Sequence, residues 1–255
     1  MSAARSVARV RQRRPMLFAA ALLTLVAAFF GPVDRYADQL FWVHMVQHVL
    51  LLMVAAPLLV LAAPWMSVLR LLPARTVRPV GRWWRQSRGP ALTLTTPIVV
   101  WIAFNANLVA WHVPVLFNLT LENTDVHVVE HLLFLTTGAL FWAQVIDAPL
   151  LRKRIDNLGR VLYIASAAVV SWLLSIALAL APSALYRGYA SALERPGRFS
   201  ALADQRIAAS VMLVPGSITF LIAGLVYAHR WLDDESGEPT QPEQPQQRAR
   251  QEQPA

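Results

Sequence analysis

Leu40-Phe41-Trp42-Val43-His44-Met45-Val46-Gln47-His48 opens one apolar run of membrane length, Leu40–Pro64. Asp125-Val126-His127-Val128-Val129-Glu130-His131 opens a second, Asp125–Pro149. In each run two histidines stand four residues apart. On a helix, residues i and i+4 lie one above the other on a single face, so each pair can aim two imidazoles in one direction. His48 falls about eight residues into its run, roughly 12 Å along the axis at ~1.5 Å per residue. That is too deep for a short imidazole to reach back to the headgroups. Ionisable groups inside a bilayer are costly and mark functional sites by default.

The rest of the chain has the same character. Of 255 residues, 56% are apolar and only 15% charged, which is too oily for a soluble globule. The apolar residues gather in six blocks, Pro15–Val33, Leu40–Trp65, Leu92–Trp111, His127–Ile146, Leu158–Leu180 and Ile207–His229. Each is near the ~20 residues that a helix needs to cross the hydrocarbon. The expected fold is all-α, a polytopic membrane helix bundle of about six transmembrane helices. Residues 1–14 form a basic arm, 15–232 the bundle, and 233–255 a disordered tail rich in proline, glutamine and glutamate. The first block resembles a signal peptide, but its length and the lack of a small-x-small site favour an uncleaved span.

The net charge of +8 is almost all arginine. Its placement argues for a membrane rather than nucleic acid. Arginines crowd the chain before the first block, the link 66–90 and the link 150–157, while the alternate links are poor in base. This is the positive-inside pattern, and it puts both termini in the cytoplasm and the histidine-bearing helix ends outside. Trp83-Trp84 among arginines reads as an interfacial segment on anionic lipid. Trp111 and Trp142 read as belt residues. Asn105 and Asn107 read as interhelical hydrogen-bond partners, and Ser166, Ser171 and Ser175 as packing hydroxyls. Pro57 is expected to kink its helix. Thr124 or Asp125 is expected to cap the helix that follows, and Asp204 to cap its own. The link Pro182–Ala203 shows no strong chemistry.

Five of the six histidines map to one membrane level: His44, His48, His112, His127 and His131. His229 lies at the other end. With no cysteine in the chain, a metal here must use imidazole, carboxylate or thioether. Imidazole suits zinc, copper, iron and nickel, and a thioether such as Met212 or Met45 favours the cuprous ion. Glu130 is a ligand, a group that orients an imidazole, or a solvated carboxylate in the first turn. A b-type haem, with axial histidines from the second and fourth spans, stands beside copper on chemistry alone. A hydrogen-bonded polar cluster in a structural scaffold is the third reading. Neither histidine pair has the His-Glu-x-x-His form of a zinc hydrolase.

Taken in order, several segments carry a resemblance. They are His44-Met45-Val46-Gln47-His48 with Pro57, Trp111-His112-Val113-Pro114, and His127-Val128-Val129-Glu130-His131 through Phe141-Trp142 and Asp147-Ala148-Pro149. Asp204-Gln205 through Met212 and Pro215-Gly216 completes the set. From about Leu40 to Tyr227 the chain resembles the CtaG-type assembly factors of caa-type cytochrome c oxidases. The resemblance implies a multi-pass protein of the bacterial plasma membrane that works with oxidase subunits on the copper centre, by transfer rather than turnover. On that reading His44, His48, His127 and His131 hold copper, His112 and Met212 are exchangeable ligands, and Glu130 and Asp204 support the ligands from behind. Imidazole must be neutral to bind, so loading is expected to weaken below about pH 6.5.

Overall fold

The computed structural model describes residues 3–66, 73, 75, 96–147, 155–190 and 200–236, with side chains from Arg13 onward. The described residues are helical and contain no strand. In chain order the helices are α1 (Ala3–Phe29), α2 (Pro32–Ala37), α3 (Phe41–Val49), α4 (Ala56–Ala62), α5 (Pro97–Trp111), α6 (Pro114–Glu122), α7 (Thr124–Val145), α8 (Asn157–Leu180), α9 (Arg187–Ala190), α10 (Ala201–Leu213) and α11 (Pro215–Ser236). A π-helical turn, Leu50–Ala55, joins α3 to α4.

Five helical stretches are long and apolar enough to cross a membrane: Arg13–Ala37, Phe41–Ala62, Thr124–Val145, Asn157–Leu180 and Ala201–Ser236. The α5–α6 pair passes the same test when taken together but is bent by 71°, so the described residues give six if the pair is one span. The expected third span, Leu92–Trp111, ends at this bend, and α6 occupies what was expected to be a link. Val113 and Pro114 break the ladder there, since proline has no N–H to continue it. Large apolar side chains such as Leu162, Leu173, Leu180, Leu221 and Leu225 point outward. That surface suits lipid and is unusual for a soluble monomer. The expected interfacial segment at Trp83-Trp84, the basic link at 150–154 and most of the tail lie outside the described residues. At the edges, α1 begins within the expected basic arm, and α11 runs three residues past the expected start of the tail.

In the bundle, α7 packs on α5 and α4, α8 on α10 and α11, α10 on α3, and α1 on α4 and the π turn. The main core gathers Phe104, Phe134, Phe141, Trp142 and Phe220. A smaller cluster at the histidine end holds Phe41, Met45, Phe117, Tyr186 and Tyr189. Trp142 is not a belt residue. It is buried, and its indole N–H donates to the Leu52 carbonyl at 2.8 Å. Thr219 donates to the Met53 carbonyl at 2.8 Å. That second carbonyl lies four residues before Pro57, which has no N–H to give it. The π turn and Pro57 therefore leave acceptors that neighbouring helices satisfy, and the disturbance lies one turn below His48. Of the two asparagines, Asn107 reaches Thr137 on α7 as expected, while Asn105 bonds back to Trp101 within its own helix.

Three caps differ from expectation. Asn123 caps α7, accepting from Asp125 and Val126. Ser200 caps α10. Asp204 caps α3 instead, since its two oxygens accept from the amides of Phe41 and Trp42 at 2.9 and 3.0 Å. A carboxylate there satisfies free first-turn amides and suits the positive end of the helix dipole. Asp204 thus holds the start of the helix that bears His44 and His48. Replacing Asp204 by Ala leaves both amides without this acceptor, and about 1–3 kcal/mol of stability should go. The loss should appear as a lower thermal midpoint of the detergent-purified protein, partly recovered in Asp204→Asn. An unchanged midpoint in Asp204→Ala contradicts this role.

Candidate metal site

The two i,i+4 pairs do meet. His44 and His48 on α3 face His127 and His131 on α7, with ring centroids 4.9 Å apart for His44–His127 and 5.4 Å for His48–His131. Within α7, His127 and His131 are 4.3 Å apart. Glu130 lies among them and is fully buried, so it is not a solvated first-turn acid. One ligand atom each from His44, His127, Glu130 and His131 fall within 4.8 Å of one another. Nitrogen and oxygen ligands sit about 2.0–2.2 Å from a first-row ion, so two of them are at most about 4.4 Å apart, and a spread of up to 4.8 Å must draw in by a few tenths of an ångström for all four to share one. His127 alone of the four is partly exposed, and the cluster reaches the surface through it.

Hydrogen bonds fix which nitrogens are free. The Tyr189 hydroxyl has one proton and donates it to the Ala37 carbonyl at 2.6 Å. Burial raises that hydroxyl above its ordinary value, so it stays protonated. The contact between His44 Nδ1 and Tyr189 Oη, 3.0 Å, must then be a bond that His44 donates. A neutral His44 therefore carries its proton on Nδ1 and presents a bare Nε2 to the cluster. His48 Nε2 lies 3.0 Å from that atom and is the donor to it. His112 behaves in the same way, its Nδ1 giving its proton to the Leu108 carbonyl at 2.7 Å.

What remains is a set of buried atoms with no hydrogen-bond partner: both oxygens of Glu130, His127 Nε2 and His131 Nε2. Glu130 has His44 Nε2 and His48 Nε2 at 3.5 Å, inside ion-pair range but too long for a charge-assisted hydrogen bond. A buried carboxylate without donors costs several kcal/mol. A cation among these atoms removes that cost. The residues present fit a metal.

Aromatic rings close the site. Phe134 packs on His48 at 4.4 Å, Phe117 on His44 at 5.1 Å and Phe29 on His131 at 5.2 Å. Tyr186 donates to the His112 carbonyl and packs at a tilt against Phe117. Tyr186 and Tyr189 come from the link that was expected to carry no chemistry. Two single tyrosines in a loop have no spacing to betray them. His112 and Met212 are not in the four-residue group; they line a cavity together with His48. Asp204 holds the first-turn amides of α3.

These observations define a polytopic helical membrane protein with a buried imidazole–carboxylate cluster near one end of the bundle. Over residues 1–234 the chain matches the family described as cytochrome c oxidase caa3 assembly factor (Caa3_CtaG), and it belongs to that family. No curated protein and no solved structure matches it.

The tautomers are open to direct measurement. In 15N-histidine spectra of the metal-free protein near neutral pH, His44 and His112 should both show Nδ1–H. Tyr189→Phe removes the acceptor of His44 and should mix its tautomers while leaving His112 unchanged. An Nε2–H signal for His44 in the unsubstituted protein contradicts the assignment.

Proposed function

We propose that this assembly factor is a copper carrier of the bacterial plasma membrane, holding an ion at its histidine end for delivery to a cytochrome c oxidase subunit. The ion is cargo, and no bond is made or broken in it besides coordination. The observation that supports this most is the donor-free Glu130 carboxylate beside three convergent imidazoles. Imidazole and carboxylate together take copper ahead of its neighbours in the divalent series. Partial exposure at His127 gives the ion a way in and out. Tyr189 holds His44 in the binding tautomer, the role that a partner on the far ring nitrogen plays in metal sites.

Cavity size favours an ion over a haem. The cavity beside His48 measures about 30 Å³, whereas cofactor sites occupy roughly 300–1,000 Å³. The phenylalanines against His44, His48 and His131 stand where a macrocycle would have to lie.

The test is a titration of the detergent-purified full chain with cupric ion and, under a reductant, with cuprous ion, beside elemental analysis and a visible spectrum. Saturable binding without Soret or α bands is expected. Protons compete for the imidazoles, so affinity should fall as the pH is lowered. Glu130→Gln keeps the shape and removes the charge, and it should weaken binding by roughly tenfold or more. A haem spectrum, or no saturable binding, overturns the proposal.

A further inference from the structure

His48 belongs to two neighbourhoods: it meets His44 and His131 in the cluster, and it is one of the residues that line a cavity. Its Nε2 donates to His44, so in the neutral ring Nδ1 is a bare lone pair, and that atom is buried with no partner. His112 Nε2 is in the same state, because its proton is committed to the Leu108 carbonyl. Only 4% of His48 and 5% of His112 is exposed. Both residues line one cavity of about 30 Å³, together with Met45, Met53 and Met212. The remaining lining is apolar apart from Ser171.

Two lone pairs that face no donor in a buried cavity call for a cation or a water. The thioethers decide between them. Sulfur is a weak hydrogen-bond acceptor and gives a water little, while thioether and imidazole together are donors that select the cuprous ion. The volume admits one water or one bare ion.

We infer that this cavity is a second, separate metal site, built for a cuprous ion from His48 Nδ1, His112 Nε2 and the thioether of Met212. It shares its cargo with the function proposed above but not its ligands. Neither His48 nor His112 is a ligand of the four-residue cluster, although an ion on His44 Nε2 displaces the bond from His48, and the cavity needs neither carboxylate nor α7. The two sites differ in kind: the cluster offers nitrogen and oxygen, the cavity nitrogen and sulfur. His48 is common to both surroundings, its Nε2 meeting His44 and its Nδ1 buried without a partner. The sulfur-containing set suits the cuprous ion better than the oxygen-containing one does.

The experiment uses the full chain with its six methionines replaced by selenomethionine, loaded with cuprous ion under a reductant. X-ray absorption at the copper edge then reports copper–selenium scattering. A selenium shell is expected in the unsubstituted protein. It should persist in His127→Ala/His131→Ala, which cripples the cluster. It should vanish in His112→Leu/Met212→Leu, which keeps copper on nitrogen and oxygen alone. Met212→Leu by itself is a near-isosteric change, and it should weaken the sulfur-bound copper about tenfold or more. No selenium shell at any loading overturns this inference, the cavity then holding water only, while nitrogen-bound copper would still support the cluster. A selenium shell with no copper on nitrogen and oxygen in His112→Leu/Met212→Leu supports the cavity and removes the cluster. A shell that survives His112→Leu/Met212→Leu also overturns the inference, since its selenium is then not that of Met212.

Discussion

A carboxylate with no hydrogen-bond donor, sealed inside a helix bundle, is the constraint around which this structure is arranged. Glu130 is fully buried and neither oxygen has a hydrogen-bond partner. In a medium of low dielectric such a group is tolerated only beside positive charge. Arginines are plentiful in the chain, yet what surrounds Glu130 is imidazole, a base that is neutral or a ligand near pH 7. That choice leaves room for an exchangeable cation. A fixed guanidinium in the same place would have filled the site permanently.

The fold spends its polar contacts on keeping those imidazoles in place. Asp204 holds the first turn of α3 from a position 163 residues away in sequence. Tyr189 and Ala37 fix the His44 ring through a relay of two hydrogen bonds. Below the histidines, the π turn and Pro57 disturb the helix, and Trp142 and Thr219 take up the exposed carbonyls. At the opposite end, Arg160 pairs with Asp147 and lies over Tyr227, a separate anchor for the helix ends there. The histidine end therefore combines rigid supports with unsatisfied ligand atoms, the combination expected of a preorganised binding site.

Much of this was legible before any coordinates, and the limits have a physical pattern. The blocks of apolar residues gave the spans because helix length is set by bilayer thickness. The i,i+4 spacing gave the two histidine pairs because it is a local property of one helix. What could not be read was which distant group a buried polar side chain would meet. Asp204 looked like a cap for its own helix, and its true partner lies on another. Tyr189 had no pattern at all. Trp142 looked interfacial because its neighbours in sequence were, while its indole reaches a carbonyl on a different helix. Which of the candidate ligands gather in the four-residue group, and which line the cavity with His48, depends on how separate helices pack, and spacing does not encode that.

Diffraction from copper-loaded crystals, collected at the copper absorption edge, tests the central claim most directly. An anomalous peak should lie between His44, His127, His131 and Glu130, within about 2.2 Å of their ligand atoms. Copper found only on outward-facing side chains, or no peak at a loading where the protein binds copper in solution, would contradict the account.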